Sequence, residues 1–113
     1  MDTPLTALII DDEERARRVL GSLLETYCRA DVQVVGQCDS VPQGVLEINR
    51  TQPDVVFLDI EMPDYSGFEL LEFFREVDFE IIFVTAYNQY AVKAFEVSAV
   101  DYLLKPVQIE QLE

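Results

Sequence analysis

The sequence predicts an α/β fold, a doubly wound parallel sheet of five strands, and three observations predict it. Runs rich in β-branched and apolar residues alternate five times with stretches of helical periodicity. Two of those runs, Val55-Val56-Phe57-Leu58 and Ile81-Ile82-Phe83-Val84, are apolar without interruption, as strands covered on both faces are. Side chains able to do chemistry fall at the ends of the runs rather than within them.

Leu5 to Ile10 reads as the first strand. From Glu14 to Tyr27 the apolar residues Ala16, Val19, Leu20, Leu23, Leu24 and Tyr27 lie on one face of a helix. Val32 to Cys38 is a second strand. Val41 to Asn49 forms a short helix, with Ser40 as N-cap and Pro42 in the first turn. Asp54 to Asp59 is the third strand. Ser66 to Glu76 is a third helix carrying Phe68, Leu70, Leu71, Phe73 and Phe74. Glu80 to Thr85 is the fourth strand. Asn88 to Val97 is the fourth helix, with Tyr90, Ala91, Ala94 and Phe95 on its inner face. Val100 to Leu104 is the fifth strand, which Lys105-Pro106 breaks. Gln108 to Glu113 can only begin a fifth helix. Right-handed crossovers restrict the topology, and the flavodoxin-like order 2-1-3-4-5 is the natural choice. Residues 1–113 are expected to form one domain. The truncated last helix leads us to expect a fragment of a longer protein.

Composition narrows the function. The 8 basic and 22 acidic residues give a net charge of −14, which disfavours direct nucleic-acid binding and suits a domain that attracts cations. No apolar run reaches the ~20 residues of a membrane helix. Met1 to Thr6 lacks the regions of a signal peptide, so a cytoplasmic location is expected. Cys28 and Cys38 read as small apolar fillers rather than a disulfide framework or zinc site.

In a sheet of this order, ligands bind at the carboxyl ends of the strands, beside the switch point. Strand one ends in Asp11-Asp12, strand three in Asp59, strand four in Thr85 and strand five in Lys105. Those four strands are adjacent in the predicted order, so the residues should share one pocket. Each alone has a plainer reading: an Asp pair as a helix cap, a lone Asp as a turn residue, Lys-Pro as a loop. Their conjunction is the specific signal. Carboxylates this close require a cation or a shared proton. Mg²⁺ takes oxygen ligands and keeps several waters. A carboxylate can attack phosphorus, and Lys105 and Thr85 supply the positive charge and donor that phosphoryl oxygens need.

The sequence resembles the receiver domain of two-component response regulators. The resemblance rests on Ile9-Ile10-Asp11-Asp12-Glu13, Phe57-Leu58-Asp59-Ile60-Glu61-Met62-Pro63, Ser66-Gly67, Val84-Thr85-Ala86 and Asp101-Tyr102-Leu103-Leu104-Lys105-Pro106. It implies that Asp59 is the phosphoacceptor. It implies that Asp12 binds Mg²⁺ directly, with Asp11 assisting through water and the Glu61 backbone carbonyl as a further ligand. Lys105 would contact the phosphoryl group through a loop with a cis bond to Pro106. Thr85 and Tyr102 would be the switch pair. Glu61 and Tyr87 occupy positions that adjust phosphoryl lifetime in the family, and Tyr87 is expected to shield the acyl phosphate. The segment Tyr90 to Val97 is similar to receivers of the LytTR class. This implies a histidine kinase or phosphotransfer domain as donor, docking on the first helix near Arg18. It also implies a C-terminal DNA-binding output domain, absent here. Any homodimer through helix four, strand five and helix five, paired by Lys93, Glu96 and Asp101, would be weak.

Rival readings fit less well. A haloacid-dehalogenase-type phosphatase needs Asp-x-Asp after its first strand, whereas Asp11-Asp12-Glu13 stands here. A nonphosphorylated module of the same fold typically loses one of the acids, the threonine or the lysine. A flavodoxin-like cofactor binder needs a Ser/Thr/Gly-rich loop where Asp11 to Glu14 stand. The domain is therefore expected to be a signalling acceptor rather than an enzyme.

Overall fold

A computed structural model describes residues 4–87, 89–97, 99, 101–105 and 107, without the side chains of Val92 and Phe95. Five strands, β1 (Leu5–Ile10), β2 (Val32–Cys38), β3 (Val55–Leu58), β4 (Glu80–Thr85) and β5 (Asp101–Leu104), form one sheet. Every pairing is parallel and the order is β2-β1-β3-β4-β5, as the sequence predicts. Four helices accompany them: α1 (Glu14–Tyr27), α2 (Val41–Thr51), α3 (Gly67–Leu70) and α4 (Ala91–Glu96). The expected cis bond to Pro106 and the fifth helix from Gln108 lie outside the described residues.

Period-two alternation sends the strand side chains into two apolar layers. Leu8, Ile10, Val56, Leu58, Ile81 and Phe83 face one way and meet Val41, Ile48, Phe68, Leu70 and Ala94. Ala7, Ile9, Val55, Phe57, Val84 and Leu103 face the other way and meet Leu20, Leu24 and Cys28. Both cysteines are buried in these layers. The buried stripe of α1 is narrower than its sequence pattern, because Val19 and Tyr27 sit on its shoulders and are about half exposed. No helix among the described residues is long and apolar enough to cross a membrane.

The third helix departs from expectation. Instead of running from Ser66 to Glu76, it ends at Leu70 and tightens into a 3-10 turn at Leu71–Phe73. Phe74 is then extended, at φ −118° and ψ 134°. Phe68, Leu70, Leu71 and Phe74 all reach the same core, and Phe74 meets Phe79 edge-on at 5.4 Å. Phe73 is left half exposed. Helix α4 is also shorter than expected, and Ala91 faces solvent rather than the core.

Helix α2 starts where the sequence placed it. Ser40 Oγ accepts a hydrogen bond from the Gln43 N–H at 3.3 Å, with Pro42 in the first turn. Ser40→Ala should lower stability by about 1 kcal/mol. Urea unfolding checks this, and an unchanged midpoint would show that the cap contributes nothing.

Candidate functional site

The sheet continues one hydrogen bond past β1, β3 and β5 at its carboxyl edge. Asp11 N–H donates to the Cys38 carbonyl at 3.0 Å, Asp59 N–H to Ile10 at 2.9 Å, and Lys105 N–H to Thr85 at 2.9 Å. The neighbouring strand therefore fixes each backbone. The β1–β3 register pairs Ile10 with Leu58, which puts Asp11 and Asp59 level with one another.

Asp11, Asp12 and Asp59 each offer a carboxylate oxygen, and these oxygens all lie within 4.8 Å of one another. Asp11 and Asp59 are buried and Asp12 is exposed. Lys105 reaches across the sheet edge to them. Its Nζ lies 2.8 Å from Asp11 Oδ2 and 3.1 Å from Asp59 Oδ2. Backbone donors hold the remaining oxygens: Asp11 Oδ1 accepts from the Glu13 N–H at 2.9 Å, and Asp59 Oδ1 accepts from the Ile60 N–H at 2.7 Å.

One ammonium does not balance three carboxylates. Burial pushes the Asp59 carboxyl up to about 6, and the charge of Asp11 adds to this, while Lys105 and the Ile60 N–H pull the other way. The salt bridge fails to restore an ordinary value because Asp11 and Glu13 share the same ammonium. Asp12 is raised by burial and then by Asp11. Burial would lower Lys105, but its hydrogen bond to Asp11 and the charges of Asp59 and Asp11 overcome this, so it stays protonated. The donor set is all hard oxygen with excess negative charge, which fits Mg²⁺.

Thr85 is fully buried. Its hydroxyl accepts a hydrogen bond from the Tyr87 N–H at 3.4 Å, and the Tyr102 hydroxyl donates to the Tyr87 carbonyl. The two expected switch residues are thus joined through the backbone of Tyr87. Tyr102 is half-buried against Phe83. Glu61 is exposed, and its side chain bonds to the Tyr90 hydroxyl. Lys93, read from the sequence as a dimer-pairing charge, lies 4.6 Å over the Phe68 ring.

Three contacts were missed in the sequence. Arg17, which looks like one more charge on a solvated helix, donates from Nη1 to the Asp11 carbonyl at 2.7 Å. Glu13 joins the Lys105 cluster at 3.1 Å. Tyr90 holds Glu61. The only available signal was the position of Glu13 and Arg17 beside the Asp pair, at the first turn of a helix.

Comparison with known proteins agrees with this geometry. The response regulator receiver domain family matches residues 7–113. An uncharacterized response regulatory protein of Vibrio cholerae is 51% identical over 109 residues, covering 96% of this chain and 45% of that protein. The Escherichia coli transcriptional regulatory protein BtsR is 42% identical over 110 residues, covering 96% and 45%. The Bacillus cereus sensory transduction protein LytT is 42% identical over 110 residues, covering 96% and 44%. The chain thus spans less than half the length of these relatives. The crystal structure of the response regulatory domain of mrkE from Klebsiella pneumoniae superposes with a TM-score of 0.84 at 31% identity, covering 96% of this chain and 88% of that one.

Proposed function

Because this chain belongs to the response regulator receiver family, we propose that it accepts a phosphoryl group on Asp59 and that the added charge switches an output domain. One observation carries this reading. A buried carboxylate, Asp59, sits beside two more carboxylates and a fixed ammonium at the open edge of a parallel sheet.

A carboxylate oxygen of Asp59 attacks the phosphorus of a phosphohistidine on a kinase or phosphotransfer domain. A P–O bond forms, the P–N bond breaks, and the electron pair leaves with the imidazole. Lys105 Nζ already lies at hydrogen-bond distance from Asp59 Oδ2, so it can pass to a phosphoryl oxygen without crossing the pocket. Asp12, Asp11, Asp59 and the Glu61 backbone carbonyl would hold Mg²⁺. When bound, the ion supplies the charge neutralisation that three carboxylates and a phosphoryl group otherwise lack. The phosphoryl group adds about −1.5 to −2 charge units. Thr85 would reorient its hydroxyl toward that charge, which would release the Tyr87 N–H. Tyr102, tied to the same residue, would move in response.

The similarity to LytT and BtsR supports a LytTR-class regulator, with a C-terminal DNA-binding domain in the full protein and control of transcription as its output. A weak dimer through helix four, strand five and helix five remains part of this reading.

Intact mass after incubation with acetyl phosphate and Mg²⁺ tests the acceptor. Wild type should gain about 80 Da, the mass of one phosphoryl group. Asp59→Ala, and wild type in EDTA, should gain nothing. An adduct that persists in Asp59→Ala would move the acceptor elsewhere.

A further inference from the structure

Beside the acidic pocket, one further carboxylate is held by a tyrosine. Glu61 lies two residues beyond Asp59 on the loop after β3, and its Oε2 accepts the Tyr90 hydroxyl. Tyr90 is a fixed post rather than a loose surface side chain. It is half-buried, with its ring 6.0 Å from Phe68 and 6.4 Å from Tyr87. Phe68 in turn packs on Phe83 of β4 at 4.9 Å and carries Lys93 over its ring. A donor already ordered by packing loses little freedom when it forms a hydrogen bond.

The pocket gives this bond a consequence. Asp11, Glu13 and Asp59 already share the one Lys105 ammonium, and Asp12 stands beside them. A Glu61 carboxylate free to swing over the pocket mouth would repel an incoming phosphoryl donor. It would also offer a proton acceptor to water beside an acyl phosphate.

We propose that Tyr90 is a positioning residue that holds the Glu61 carboxylate off Asp59, so that Glu61 opposes neither the arrival nor the retention of the phosphoryl group. This rests on Asp59 being the acceptor. In hydrolysis, a water oxygen bonds to phosphorus and the P–O bond to Asp59 breaks. The electron pair returns to the Asp59 carboxylate, and the water proton passes to a base before leaving with the phosphate. An untethered Glu61 supplies that base.

The test follows adduct decay by intact mass after acetyl phosphate is removed, in wild type, Tyr90→Phe, Glu61→Gln and the double variant. Tyr90→Phe keeps the ring and its packing but lacks the hydroxyl. It should lose the phosphoryl group about three- to tenfold faster than wild type. In the Glu61→Gln background the same substitution should change decay by less than about twofold. A merely structural role for Tyr90 would act equally in both backgrounds, and that result would overturn the proposal. Decay in Tyr90→Phe at the wild-type rate would also overturn it. If wild type itself takes up no phosphoryl group, the acceptor reading fails first and this proposal falls with it.

Discussion

Gly67→Ala should unfold at a temperature more than about 10 °C below wild type, and it should lose phosphoryl uptake in the molecules that remain folded. A Cβ at Gly67 would stand 2.2 Å from the Asp59 carbonyl oxygen, 3.1 Å from the Asp59 carbonyl carbon and 3.1 Å from Ile60 Cα. All three are backbone atoms, so no rotamer change relieves the clash. Either α3 moves off the sheet or the end of β3 shifts. The first breaks the 2.7 Å bond from the Gly67 N–H to the Ile60 carbonyl, and the second displaces Asp59. Overpacking of this kind costs about 1–3 kcal/mol, and the lost hydrogen bond adds about 1. Gly21→Ala is the control. Its Cβ would meet the Gln37 side-chain nitrogen at 2.8 Å, the far end of a flexible group. Alanine is also favoured over glycine inside a helix by up to about 1 kcal/mol. Gly21→Ala should therefore melt within a few degrees of wild type. If Gly67→Ala melted alongside it, the close approach of α3 to Asp59 would not be what requires glycine.

That close approach shows where sequence reading stops. The strands were legible because β3 and β4 are buried on both faces and leave uninterrupted apolar runs. The pocket was legible for a related reason. In a parallel sheet, strand ends fall on one edge, so Asp11, Asp59, Thr85 and Lys105 needed only the strand order to be brought together. What stayed hidden depends on distances between elements. Ser66-Gly67 carries part of the resemblance, but Gly67 has no positive φ, and the close approach that requires glycine there leaves no mark in the sequence. The early end of α3, with Phe74 extended and packed on Phe79, left no mark in the apolar pattern. Arg17 and Tyr90 resemble any helix-surface arginine and any half-buried aromatic until the pocket is seen beside them. Periodicity records which face is apolar, but not which neighbour a polar group on the margin will meet.

The crowding of carboxylates in the pocket should make it costly to fold. In the absence of divalent metal, Asp59→Asn is expected to be more stable than wild type at pH 8, with the advantage shrinking as the pH falls below about 6. The sign follows from linkage. The native carboxyl lies near 6, above its ordinary value of 3.8, because of burial and Asp11. Between those values the folded chain binds more protons than the unfolded one, so stability falls as pH rises through the window. Above about pH 6 the whole cost is present, up to about 3 kcal/mol for a shift of this size. Lys105 moderates the figure, since it is drawn to Asp59 and remains charged throughout the window, but Asp11 and Glu13 keep it engaged in the variant. We therefore expect a gain of about 1–3 kcal/mol at pH 8 in EDTA. Millimolar Mg²⁺ should raise the melting temperature of wild type and raise that of Asp59→Asn less, because the native variant has lost one carboxylate that attracts the ion. Urea unfolding at pH 4.5 and pH 8, with EDTA or Mg²⁺, separates these effects. A wild type equal to or more stable than Asp59→Asn at pH 8 in EDTA would mean that attraction to Lys105 outweighs repulsion from Asp11 and the burial of charge.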